Sequence, residues 1–217
     1  MDDAIINVLV SIPVFLLAIV VHEVAHGYVA LRMGDDTAKR MGRLSLNPIA
    51  HIDLIGTVIL PLILGLIGGM MFGWAKPVPV DSRNFKNIKS GIFWVSFAGP
   101  LANIAFAILS CILFAIIAVF VPRDFYLYIP FIKMLRVSIT LNIVLAIFNL
   151  IPFPPLDGSK MISTMLSYNN LRKYEAIATY SFPIFIILMW TGALGYVIGP
   201  FIFLGEFFTN FLIRLFT

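Results

Sequence analysis

The sequence predicts an all-α membrane protein, a polytopic transmembrane helix bundle, and three observations carry that prediction. Of its 217 residues 60% are hydrophobic and only 12% are charged, with a mean hydropathy of +1.00, well outside the range of soluble globular domains. Apolar segments recur at about 4–31, 54–73, 91–121, 131–151, 175–192 and 195–216. Lys and Arg gather between them, in 32–53, in 74–90, and at Lys160, Arg172 and Lys173.

The length suits one compact bundle over 1–217, with a core at about 1–167 and peripheral helices at about 171–217. About five of the apolar segments are expected to span. A net charge of +4 with its cations in loops speaks for topology and lipid headgroups, not nucleic acid. The single cysteine, Cys111, excludes an intrachain disulfide. Asp2 and Asp3 stand where a signal peptide would be basic, so the first span is expected to be retained. No internal repeat is visible.

The first apolar run carries no charge from Ala4 to Val21, and its helical pattern continues to about Met33. The segment 54–73 is different, since Gly56, Pro61, Gly65, Gly68 and Gly69 interrupt it. If it crossed, the three basic stretches could not share one side of the membrane. It reads as a re-entrant element, with a glycine-rich span as the alternative. Residues 74–80, Trp-Ala-Lys-Pro-Val-Pro-Val, alternate and hold two prolines, which suits a short edge strand or an extended loop able to offer backbone groups to a peptide. Segments 91–121 and 131–151 read as spanning helices. In the last two, Ser181 to Pro183 reads as a kink and Gly192 to Gly195 as a turn; both segments are apolar and aromatic-rich, which fits a gate for entry from lipid.

One stretch of the first span stands out. His22-Glu23-Val-Ala-His26 sets two imidazoles a little over one helical turn apart, on one face, where they can share a metal. Glu23 is then within reach of water at that metal. Three ionisable groups within five apolar positions need a partner or an ion, because each is costly in lipid. A catalytic zinc takes three protein ligands, so one is missing. Asp157 is the best candidate, as it follows a span broken by three prolines in Asn149-Leu-Ile-Pro-Phe-Pro-Pro-Leu-Asp157-Gly158. A turn or capping aspartate is the other reading of it. His51 fits either a plain loop histidine or a residue lining the cleft, and Asp53 and Glu206 read as solvated or interfacial charges.

Together His22-Glu23-x-x-His26, Phe97-Ala-Gly99-Pro100-Leu-Ala-Asn103 and Asn149 through Gly158 resemble the intramembrane metalloproteases of the site-2 protease type, in their short bacterial form without appended domains. The likeness covers nearly the whole chain. It implies that His22, His26 and Asp157 bind one Zn2+, that Glu23 activates water, and that Asn103 and Asn149 line the site as substrate or oxyanion contacts. For either amide, interhelical bonding is an equal reading. The family implies single-span membrane proteins or signal-peptide remnants as substrates, and the basic loops put the site toward the cytoplasmic side of an inner (cytoplasmic) membrane. A transporter or a non-proteolytic metal-binding membrane protein is the alternative; the lack of paired repeats speaks against the first, and Glu23 beside the ligands against the second. The sequence does not reveal oligomeric state.

Overall fold

A computed structural model describes residues 2–66 and 73–217. They form helices α1 (Asp2–Met33), α2 (Thr37–Arg40), α3 (Leu60–Leu66), α4 (Ile88–Phe120), α5 (Tyr128–Leu150), α6 (Asp157–Ser163), α7 (Tyr168–Ile177), α8 (Ser181–Trp190) and α9 (Ala193–Phe216), with no strand among the described residues. Local chemistry sets the boundaries. Gly34, at φ +117°, ends α1 where a side chain would be strained and would meet Asn84 O at 2.8 Å. The Asn87 side chain caps α4 by accepting from Ser90 N, and Pro122 follows its end. Pro152, Pro154 and Pro155 stop α5.

Four of these helices are long and apolar enough to cross a bilayer: α1 from Val10, α4, α5 and α9. The central one is α4, which packs against the other three. Contacts between His22 and Asn103 and between His26 and Val95 make α1 antiparallel to α4. Asn103 with Asn142 and Ser110 with Ser138 do the same for α5. Helix α9 runs parallel to α4: Gly205 lies against Ile143, Leu212 joins Cys111, Phe114 and Ile139 in one apolar cluster, and the Phe216 and Phe120 rings lie 6.3 Å apart.

That direction corrects the expected fifth span at 175–192. Since α5 ends and α9 begins at the same end of the bundle, residues 151–192 make no net crossing. Arg172, Lys173 and Glu175 keep α7 polar, and a 3-10 turn at Ala178–Tyr180 separates it from α8. The ten residues of α8 reach about 15 Å, half the hydrocarbon thickness. Gly192, at φ +71°, then turns the chain into α9. All three basic stretches fall at this one end, so eleven of the fifteen Lys and Arg residues lie there and Arg123, Lys133, Arg136 and Arg214 do not.

Among the described residues, the two ends of the expected re-entrant element lie against each other. Half-exposed Asp53 also serves as a cap: its carboxylate accepts from Ile55 N and Gly56 N to start a wide turn over Leu54–Ile59 that continues into α3. The chain then comes back to where it left. Trp74 N donates to Gly56 O at 3.0 Å, and Thr57 Oγ1 donates to Trp74 O at 2.7 Å. Gly56 is required there, because a Cβ would strike the Trp74 ring. Residues 67–72, with Gly68 and Gly69, lie outside the described part.

Residues 74–80 take the extended-loop form and not the edge strand. Their backbone groups are already engaged: Lys76 N donates to His51 O, the Arg43 guanidinium donates to the carbonyls of Lys76 and Pro77, and Val78 N donates to Glu23. Ala75 packs with Phe15 and Ile19 of α1 and Leu141 and Leu145 of α5. Ala75 and Val78 are buried in this stretch, while Trp74, Lys76, Pro77 and Val80 stay exposed.

A second anchor holds the loops after α1 and before α4. Asp35 is fully buried and accepts from Thr37 N, Thr37 Oγ1, Asp81 N and Asn84 Nδ2 at 2.5–3.1 Å. Burial alone would raise its carboxyl, but these donors hold it below the usual carboxylate range. Asp81, bonded by the Arg83 guanidinium, is held down to about 2. Depressed folded values mean stability that is present above about pH 4 and lost as pH falls toward 2. Asp35→Asn is expected to remove the Asp35 part of that acid dependence while the Asp81 part remains, and to cost about 1–3 kcal/mol at neutral pH, read from denaturation of the detergent-solubilised protein followed by circular dichroism.

Candidate metal centre

The α1 face that carries His22 and His26 turns toward α4 at Gly99. Only glycine fits: a Cβ at this position would lie 2.5 Å from His26 Nε2 and 2.6 Å from His22 Nε2. Each imidazole is fixed from behind. His22 Nδ1–H donates to Asn103 Oδ1 at 2.6 Å, and His26 Nδ1–H donates to the Val95 carbonyl at 2.6 Å. With both Nδ1 positions protonated, both Nε2 lone pairs point inward, and they face each other at 3.0 Å.

Asp157 arrives from α6. Its first turn lies on the carbonyls of Leu150 and Ile151, an approach open to Gly158 because a Cβ there would meet Ile151 O at 2.6 Å. Asp157 Oδ2 then stands 3.2 Å from each imidazole Nε2. Its other oxygen accepts from Lys160 Nζ at 3.2 Å. Lys160 lies beside the buried Asp157 carboxyl and favours its anionic form.

Three acceptor atoms at 3.0–3.2 Å from one another repel unless a cation lies among them. A tetrahedral zinc with ligands at about 2.0–2.1 Å would hold them about 3.3 Å apart, and the observed triangle is close to that. Two neutral imidazoles and one carboxylate are also a donor set that zinc accepts. His22, His26 and Asp157 form the cluster with metal-holding geometry among the described residues.

The triangle forms part of the wall of a cavity of about 610 Å³, which Glu23, Val78, Val80, Asn149 and Lys160 also line. Glu23 Oε2 accepts from Val78 N at 2.7 Å, which leaves Oε1 for the cavity. Asn149 belongs to the wall, with its amide anchored to Leu145 O. Asn103 lies elsewhere. It is wholly buried behind His22, with Nδ2 donating to Ala18 O and Asn142 Oδ1, so it braces that imidazole and is not part of the cavity wall. His51 is 1% exposed beneath the loop, with Nε2–H donating to Ser45 O and its backbone carbonyl supporting Lys76. It supports the wall without lining it. Glu206, on α9, lies outside the cavity wall.

Sequence reasoning missed Gly99 as the point of close approach, Lys160 as the partner of Asp157, and Asn142 behind Asn103. The i, i+3 spacing of Asp157 and Lys160 and an amide inside an apolar span were the available signals.

A model of the peptidase family M50 matches residues 116–191, the part that holds Asn149 and Asp157. YwhC of Bacillus subtilis (strain 168), which carries a zinc metalloprotease name, is 36% identical over 192 residues, covering 88% of this chain and 84% of its own. The chain belongs to peptidase family M50. This is the site-2 protease family, and the protein is a membrane zinc metalloprotease. M50 relatives named as the zinc metalloprotease Rip2 are more distant: that of Mycolicibacterium smegmatis is 29% identical, over 83% of this chain and 66% of its own. No solved structure gives a significant match.

Gly99→Ala tests the close approach. It is expected to push the imidazoles out of the M50 site and weaken zinc at least tenfold, measured by chelator competition on the purified protein, while the helical circular dichroism is kept.

Proposed function

We propose that the protein hydrolyses peptide bonds in or beside the transmembrane segments of single-span membrane proteins, or in signal-peptide remnants, with His22, His26 and Asp157 as zinc ligands and Glu23 as general base. The observation that carries the reading is depth. Counted along α1 from Met33, His26 and His22 lie roughly 10 and 17 Å inside the helix end, so the peptide bonds within reach belong to membrane-embedded or juxtamembrane segments.

Zinc, when bound, polarises a carbonyl and makes water acidic enough to deprotonate near neutral pH. The other steps belong to the chain. Glu23 Oε1 takes a proton from water, the resulting hydroxide adds to the scissile carbonyl carbon, and Glu23 returns the proton to the amine as the C–N bond breaks. Val78 N–H fixes the direction in which Glu23 presents that oxygen. Asn103 and the Val95 carbonyl keep both imidazole protons away from the centre.

A helix in lipid has its peptide groups hydrogen-bonded, so the substrate must unwind, and segments weakened by Gly, Pro or Asn are preferred. The Val78 carbonyl and Val80 are the part of the wall that remains to pair with the unwound stretch, since the groups from Lys76 to Val78 N are engaged. Eleven cations at the end of the bundle nearer the cavity support a cytoplasmic orientation of that end, in an inner (cytoplasmic) membrane. Release of membrane-anchored regulators and clearance of signal-peptide remnants are the biological roles this reading covers.

Glu23→Gln is expected to keep stoichiometric zinc and to slow cleavage of a single-span substrate by a factor of about 10² or more, in detergent or in vesicles. Asp157→Ala is expected to lose both zinc and cleavage. Parent-like cleavage by the Glu23→Gln protein would sink the general-base assignment.

A further inference from the structure

We infer that Asn142 is a positioning residue for His22, acting through Asn103, although it touches neither the metal-ligand triangle nor the cavity. The inference rests on the zinc-protease reading of that site. Asn103 and Asn142 are fully buried on α4 and α5, and with Ser138 and Ser110 they form a polar chain through an apolar bundle.

Interhelical bonding alone would work in either orientation of the amides, but this chain has a direction. Ser138 O is a backbone carbonyl and can only accept, so Asn142 must turn Nδ2 toward it, at 2.9 Å, and Oδ1 toward α4. Asn142 Oδ1 then accepts from Asn103 Nδ2 at 2.8 Å. A second carbonyl, Ala18 O, accepts from the same Asn103 nitrogen at 3.2 Å. Asn103 is left with Oδ1 facing His22, which answers with its Nδ1 proton.

Reversing any member reverses the rest. If Asn142 flipped, its NH2 would face the NH2 of Asn103, and its carbonyl would face Ser138 O. A flip of Asn103 would relieve the first clash, but it would aim an N–H at His22 Nδ1 and drive the imidazole proton onto Nε2. His22 could then not ligate. The carbonyls at Ser138 and Ala18 therefore set the tautomer of His22, and Asn142 is the link from α5. Outer partners of metal-binding histidines commonly contribute 10- to 100-fold to affinity.

The test uses the full chain purified in detergent, with zinc affinity from chelator competition and the visible spectrum of the Co2+-substituted protein as readouts beside cleavage. Asn142→Leu is expected to weaken zinc about tenfold and to alter the Co2+ bands. Ile139→Ala, which removes buried packing from the same helix, is expected to lower the melting temperature and leave zinc affinity within about twofold. Should Asn142→Leu fail to fold, Asn142→Ser, whose hydroxyl is too short to reach Asn103, is expected to show the same loss. Parent-like zinc affinity and Co2+ spectrum in a folded Asn142 variant overturn the inference. A parent that binds no zinc would overturn the functional reading as well, which separates the two failures.

Discussion

The structure depends on a confrontation that would be repulsive without an ion: two imidazole nitrogens and a carboxylate oxygen brought to 3.0–3.2 Å of one another inside an apolar bundle. Holding three acceptors so close requires each to be fixed from outside. Asn103, the Val95 carbonyl and Lys160 do this from α4 and α6, and glycines at 99 and 158 let the backbones come near enough. The spanning helices α1, α4 and α5 are arranged so that these supports meet. Burial makes the arrangement costly when empty, and that same cost favours a divalent cation among the three groups.

The other polar devices serve the same region. Asp35 ties the end of α1 to the loop before α4, and Arg43 and Glu23 hold the extended stretch from opposite sides. Asp53 starts the element that leaves and returns beside α1. The carboxylates of Asp35, Asp53 and Glu23 each accept from backbone donors in this region, as a low-dielectric setting favours.

Much of the site was legible in the sequence because its signals are local or chemically rare. A four-residue histidine spacing, an acid between them and an aspartate after a proline break are improbable inside apolar runs. The return of the chain between Gly56 and Trp74 followed from charge and glycine placement. What stayed hidden depends on direction and long-range register. The composition of 175–192 could not reveal that α9 starts at the end where α5 stops, so an apolar run was read as a crossing. Which way Asn103 points depends on the rotation of α4 against α1, and the role of His51 as a support under the loop depends on Ser45 and Lys76 closing around it. A one-dimensional pattern holds neither. The cap at Asp53 was readable in principle, since an acid directly before an apolar helical run is a start signal.

The amide of Val78 occupies one oxygen of Glu23 across a separation of 55 residues. That contact makes the loop a protractor for the acid: its remaining oxygen swings with any sideways shift of residues 76–78. Under the proposed mechanism, chains that share the histidines and the aspartate but differ in this loop would keep the same ion and aim the Glu23 carboxylate along a different bearing. Reaction rate would vary between them with no change in any ligand.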